Sequence, residues 1–140
     1  YLNVVEFNRK MGLEKAYYSI WPEMLKKVKE LGEKRDGIIV EGLYSKQLLY
    51  KFSKLFPNAE MHVFNLTTGR HTRVKRYASR ENIDLSKAKK AMRMLDRQKR
   101  KIGLPEVQQL NGPNIHVIPN KGKISETLSL IQRRLRRKPL

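Results

Sequence analysis

Three arginines stand at Arg73-x-x-Arg76-x-x-x-Arg80. At 3.6 residues per turn this spacing sets three guanidiniums along one face of a helix. A guanidinium grips phosphate oxygens in a bidentate fork, so such a row serves phosphoryl transfer or holds a phosphate backbone. Arg97 and Arg100 repeat the pattern further on. Between Arg70 and Lys101 the chain places thirteen Lys or Arg against three acids, Glu81, Asp84 and Asp96. A charge run on a helix is often only a solvated face. Here the acids are too few to balance it, and phosphate is the indicated partner. If that phosphate belongs to a nucleic acid, the contacts are expected from Arg70, Lys75, Lys87, Lys89, Lys90, Arg93, Lys99, Arg100 and Lys101. A second basic cluster adds Arg133, Arg134, Arg136 and Arg137.

These side chains need elements to position them. Leu2–Phe7, Gly37–Glu41, Met61–Leu66 and Ile115–Ile118 are short, mostly apolar runs and read as buried strands. Between them the apolar residues recur at helical spacing. Leu13–Trp21 predicts one helix, with Pro22 in the first turn of the next. Ser45 predicts an N-cap, followed by Leu48, Leu49, Phe52 and Leu55 on one face. Thr67 and Thr68 are expected to cap the helix of Arg70–Arg80, and Asp84 the next helix, with Leu85, Ala88, Met92 and Leu95 inward. Gly103 and Pro105 end that helix. The last helix, 124–136, is expected to turn Leu128, Ile131 and Leu135 inward. Strict alternation predicts an α/β fold, a parallel sheet flanked by helices, in one domain over 1–140. Its core is expected in 1–66 and 104–136, with basic lid-like helices over 69–103.

In such a sheet ligands bind at the carboxyl ends of the strands. Glu41 and Gly42 end the second predicted strand. There a carboxylate can hold a metal or orient a phosphate, and glycine lets a ligand approach the backbone. The plainer reading is that Glu41 pairs with a nearby base. Arg9 follows the first strand, and Asn120 the last.

With 140 residues the chain suffices for a core. It contains no cysteine, so disulfides and thiolate metal sites are excluded, and no metal-ligand motif is present. No run approaches 18 apolar residues, which predicts a soluble protein with no membrane partner; cytoplasm is the expected compartment. The formal net charge of +18 points to polyanionic partners.

GIIVEGLYS, the arginine-rich TRVKRYASRENIDLSKAKKAMRMLDRQKRK, IHVIPNKGKISETLSLI and VVEFNRKMGLE together resemble the P-loop nucleoside monophosphate kinases and related small kinases. The likeness is greatest to archaeal cytidylate-kinase-like and dephospho-coenzyme-A-kinase-like proteins. It covers nearly the whole chain. The resemblance implies phosphoryl transfer from ATP with Mg²⁺ to a nucleotide or other small phosphorylated acceptor. It implies a substrate face at Glu41 and Gly42, and an acceptor phosphate held by Arg9. Arg73, Arg76, Arg80 and Arg97 would be lid residues, with Glu41, Arg76 and Arg80 nearest the chemistry. Asn120 would lie beside the nucleotide base.

One motif of that family is missing. No GxxxxGK[ST] occurs anywhere in the chain; Gly32–Gly37 has the glycine spacing but runs into Ile38-Ile39. Without that loop nothing cradles the β- and γ-phosphates, so this chain alone is expected to be inactive. The strand bearing the loop is central in the resembled sheet. Either about 20–30 residues of a βα unit precede Tyr1, or the strands close into a rearranged sheet. The competing reading is a non-catalytic protein on the same scaffold that binds RNA or a ribonucleoprotein, needing no cofactor. A DNA-binding helix-turn-helix at Arg80–Lys101 is weaker, because its turn lacks the usual glycine.

Overall fold

A computed structural model describes residues 12–136, the side chain of Leu13 excepted. In chain order the elements are α1 (Leu13–Ser19), α2 (Trp21–Gly32), α3 (Lys46–Leu55), β1 (Val63–Thr67), α4 (Arg70–Glu81), α5 (Leu85–Ile102), α6 (Leu104–Gln108), β2 (Ile115–Pro119) and α7 (Ile124–Leu135). The class is mixed α/β, with a two-stranded parallel sheet among the described residues. No helix among them is long and apolar enough to cross a membrane. The chain divides into two compact units. One comprises residues up to Ala59 together with Asp96–Val107, and the other Glu60–Leu95 and the residues from Gln108 on.

The first unit buries Ala16, Trp21, Val28, Leu48, Phe52, Ile102 and Val107. Pro22 sits in the first turn of α2, where its missing N–H costs nothing. Ser45 caps α3 as expected, its Oγ accepting from the Gln47 N–H at 3.2 Å. Around Trp21 the rings of Tyr17 and Tyr18 pack edge to face, with centroids 5.6 and 4.8 Å from the indole. Such pairs stabilise beyond the area they bury.

Among the described residues the predicted strand over 37–41 pairs with no neighbour, and Ile39 is 96% exposed. The cause lies in what its neighbourhood offers. A β-branched run becomes a strand only where a neighbour supplies hydrogen bonds. Just beyond the run, a side chain satisfies the backbone. The Tyr17 hydroxyl donates to the Gly42 carbonyl at 3.1 Å and accepts from the Tyr44 N–H at 3.0 Å. Gly42 turns the chain between them with φ +82°. The predicted strand over 2–7 lies outside the described residues.

In the second unit β1 and β2 pair in parallel, Val63 opposite Ile115 through Thr67 opposite Pro119. β1 begins two residues later than predicted and β2 begins at the predicted residue; each ends one residue later. Val63 and Ile118 are buried from the two strands. Between α4 and α5, Val74, Ala78 and Ala88 form a small core covered by Tyr77, Ile83 and Met92. Asn82, at φ 50°, ends α4 in the left-handed conformation that glycine usually supplies. Asp84 then starts α5, its Oδ1 accepting from the Lys87 N–H at 2.8 Å. Two helix expectations fail. The residue before α4 is Gly69, with no side-chain cap. On α7 the buried residue is Thr127, while Leu128 and Leu135 stay 51% and 52% exposed.

Gly103 closes α5 at φ +116°, and a Cβ there would stand 3.3 Å from the Tyr44 carbonyl. Gly103→Ala therefore combines forbidden backbone with a backbone contact, and is expected to cost on the order of 1–3 kcal/mol. Ser45→Ala loses only the cap, about 1 kcal/mol. Denaturant melts of both variants check the order; a Gly103→Ala protein as stable as wild type would refute the strained-turn account.

Candidate functional site

Parallel pairing brings the carboxyl ends of β1 and β2 to the same edge. The Asn120 N–H donates to the Thr67 carbonyl at 2.8 Å and continues the ladder one residue past β2. The Thr68 hydroxyl, expected to cap a helix, donates instead to the Asn120 carbonyl at 3.2 Å. From α7 the buried Thr127 hydroxyl donates to Asn120 Oδ1 at 3.4 Å. Three threonines thus hold one asparagine by its main chain and its side chain. Two residues before Thr67, the Asn65 amide nitrogen is buried with no hydrogen-bond partner among the described residues. A buried donor of this kind is suited to a ligand oxygen.

Directly after this edge comes α4. Arg76 Nη2 donates to the Gly122 carbonyl at 3.4 Å, so one arginine of the expected row reaches the loop that follows Asn120. Arg73 is half-buried on the same helix. Arg80 turns back on its own helix: its Nε bonds Glu81 at 2.8 Å and its guanidinium lies 5.3 Å over the Tyr77 ring. Arg73, Arg76 and Asn120 are therefore in one unit. Arg70 and Lys75 are exposed on α4. Glu41 and Gly42 belong to the other unit, and Glu41 is exposed and ends no strand among the described residues. Arg97 is exposed on α5, in that same unit. Arg9 and Arg137 lie outside the described residues.

The basic residues of α5 sort into two groups. Lys87 pairs with Asp84 at 3.5 Å, and Lys99 lies 4.8 Å over the Tyr44 ring. Lys89, Lys90, Arg93, Arg97, Arg100 and Lys101 are exposed. The Asp84 carboxyl is held below the usual carboxylate range, first by the Lys87 backbone N–H and then by the Lys87 ammonium. On α7, Arg133 bonds the Ser129 carbonyl at 3.3 Å, and Arg134 and Arg136 are exposed.

Fold and site together define a mixed α/β protein whose parallel strand pair carries an asparagine- and threonine-lined edge under a basic helix. Compared with protein-family models, characterised proteins and solved structures, the chain matches none. No group of three or more His, Asp or Glu among the described residues is arranged to hold a metal ion.

At the other end of the strand pair is a cluster with no counterpart in the expected sites. His62 Nδ1 and His116 Nε2 are 3.1 Å apart, and Glu60 bonds His62 Nε2 at 3.1 Å. The Phe64 ring stacks on His116 at 4.9 Å. Their separation in sequence hid this pair; only the Phe64–His116 register brings them together. In the neutral arrangement His62 donates to Glu60 and accepts from His116. Burial, then His62 and Arg134, push the His116 imidazole below its ordinary value. A lowered histidine means that the unfolded chain binds the proton more readily. Stability is thus full above about pH 6.5 and falls as pH drops through the folded-state value. Melting temperatures from pH 8 to 5 should show this loss in the wild type and a smaller one in His116→Gln; parallel curves would exclude the pair as its source.

Proposed function

We propose that this chain is P-loop nucleotide-kinase-like and binds a nucleotide or other small phosphorylated molecule at the carboxyl edge of β1 and β2. One observation carries the reading. A parallel strand pair ends in a threonine-held asparagine, and the basic helix that follows reaches back to the loop beside it. Carboxyl edges of parallel strands are where α/β proteins take ligands. In this reading Asn120 and the unpartnered Asn65 amide meet the base or sugar of the ligand. Arg76, with Arg73 beside it on α4, neutralises the phosphate. When substrate arrives Arg76 exchanges a neutral carbonyl for a charged oxygen, a stronger hydrogen bond.

The residues present do not make a complete kinase. No GxxxxGK[ST] stands in the sequence, so nothing here grips the β- and γ-phosphates of ATP, and no transfer step is derived for this chain. Magnesium in such chemistry is held largely through the nucleotide's own phosphates. Glu41, Gly42, Arg9, Arg80 and Arg97 keep the roles that the family resemblance implies for them only as part of this proposal. Cytoplasmic location belongs to it as well.

Calorimetric titration with a nucleoside monophosphate, the matching nucleoside and ATP tests the reading. The monophosphate is expected to bind better than the nucleoside, and ATP no better than the monophosphate. Arg76→Ala removes a charge-assisted bond and should weaken the monophosphate about 10- to 100-fold, leaving the nucleoside unchanged. Asn120→Ala should weaken both. Unchanged monophosphate affinity in Arg76→Ala would overturn the proposal.

A further inference from the structure

One large feature of the molecule is not used by a small phosphorylated ligand. At 100° per residue, Lys89, Lys90, Arg93, Arg97, Arg100 and Lys101 fall within an arc of about 120° on α5. All six are exposed, and none has an ion-pair partner among the described residues. From Lys89 to Lys101 the row is roughly 18 Å long at 1.5 Å per residue. The only acid within the helix, Asp96, is half-buried at the border of the arc. Ala88 and Ile102 are buried on the other side.

Such a face opposes its own helix. Lys89–Arg93, Arg93–Arg97 and Arg97–Lys101 are like charges four residues apart, and Lys90–Arg93 and Arg97–Arg100 are three apart. Each pair destabilises a free helix. Cations in the last turn have a local reason, since they complement the negative end of the helix dipole. Lys89, Lys90 and Arg93 have none: they sit in the first half of α5, far from that end. A bound polyanion relieves all five repulsions at once.

We infer that this face of α5 is a docking surface for double-helical RNA, gripped through its phosphates. Several features on the same helix select this partner. Single strands are held by bases stacked on aromatic side chains, and α5 carries no aromatic residue. Base readout of adenine in a DNA major groove uses Asn or Gln; the arc has neither, and Ser86 is its only uncharged polar residue. Double-helical RNA is instead recognised by shape and backbone, which an all-cation face provides. An anionic membrane needs an apolar side free to enter the interface. On α5 that side is occupied: Ala88 is buried in one unit and Ile102 in the other. The surface is independent of the nucleotide edge: Lys89, Lys90 and Arg93 have no part in that site.

Each neutralised phosphate contributes roughly −0.9 to the slope of log affinity against log salt on a duplex, so six contacts give about −5. The probe is a 20-base-pair RNA hairpin, titrated at four salt concentrations. The competitors are a DNA duplex of matching sequence, single-stranded RNA and vesicles rich in anionic lipid. The full chain should bind the hairpin with a slope near −5, ahead of each competitor. Lys89→Gln with Lys90→Gln and Arg93→Gln should make the slope shallower by about 3. The control, Lys26→Gln with Lys27→Gln and Lys29→Gln, removes equal charge from exposed positions of α2 and should leave the slope within one unit. Circular dichroism melts confirm that both variants fold; if the α5 triple does not, Lys89→Gln alone should still reduce the slope by about 1. Equal losses in both triples, a slope shallower than −2, or preference for DNA, single strands or vesicles would each overturn the inference.

Discussion

The parallel pairing of β1 with β2 is the constraint on which the second unit depends. Each strand is five residues long, and neither would persist alone in water. Their register decides which side chains meet. It sets Thr67 and Thr68 against Asn120 at one end and His62 near His116 at the other. A shift of one residue would turn every side chain to the opposite face. The polar corner and the histidine pair are thus two outcomes of one hydrogen-bond ladder.

The first unit solves its backbone problem differently. The chain from Gly37 to Tyr44 pairs with no strand among the described residues, and two backbone groups near its end, on Gly42 and Tyr44, are satisfied by a single phenol. Tyr17 can do this because a hydroxyl both donates and accepts. Its own burial raises the phenol above its ordinary pKa, so the proton needed for the donated bond is retained. The edge-to-face contacts with Tyr18 and Trp21 hold the ring where its hydroxyl is required. Tyr18 in turn donates to the Ile102 carbonyl at 3.3 Å, answering one of the last carbonyls of α5.

Charge acts at two levels in this molecule. Some cations have local partners: Lys87 has Asp84, Lys99 the Tyr44 ring, and Arg80 both Glu81 and Tyr77. Exposed pairs like these contribute little to stability. Exposed cations such as Lys89, Lys90 and Arg93 instead add to the positive field around the protein. A small ligand edge and a long basic face are compatible demands, because one needs a few placed groups and the other only density of charge.

By itself the sequence determined the local features that depend on neighbours in the chain. Helical periodicity, the Ser45 and Asp84 caps, Pro22 in a first turn, and the break at Glu81–Ile83 all follow from interactions within a few residues. So does the basic face of α5, since it is only spacing. Tertiary structure decided what depends on distant partners. The run Ile38–Val40 reads as a strand but joins no ladder among the described residues, because β pairing needs a neighbour that composition does not reveal. Thr68 reads as a cap, yet bonds Asn120 across the sheet edge. Thr127, not Leu128, faces inward on α7, because the Asn120 side chain meets it there and a polar partner there outweighs the apolar pattern. The His62–His116 contact is invisible for the same reason: 54 residues separate the two rings, and only the parallel register brings them to 3.1 Å.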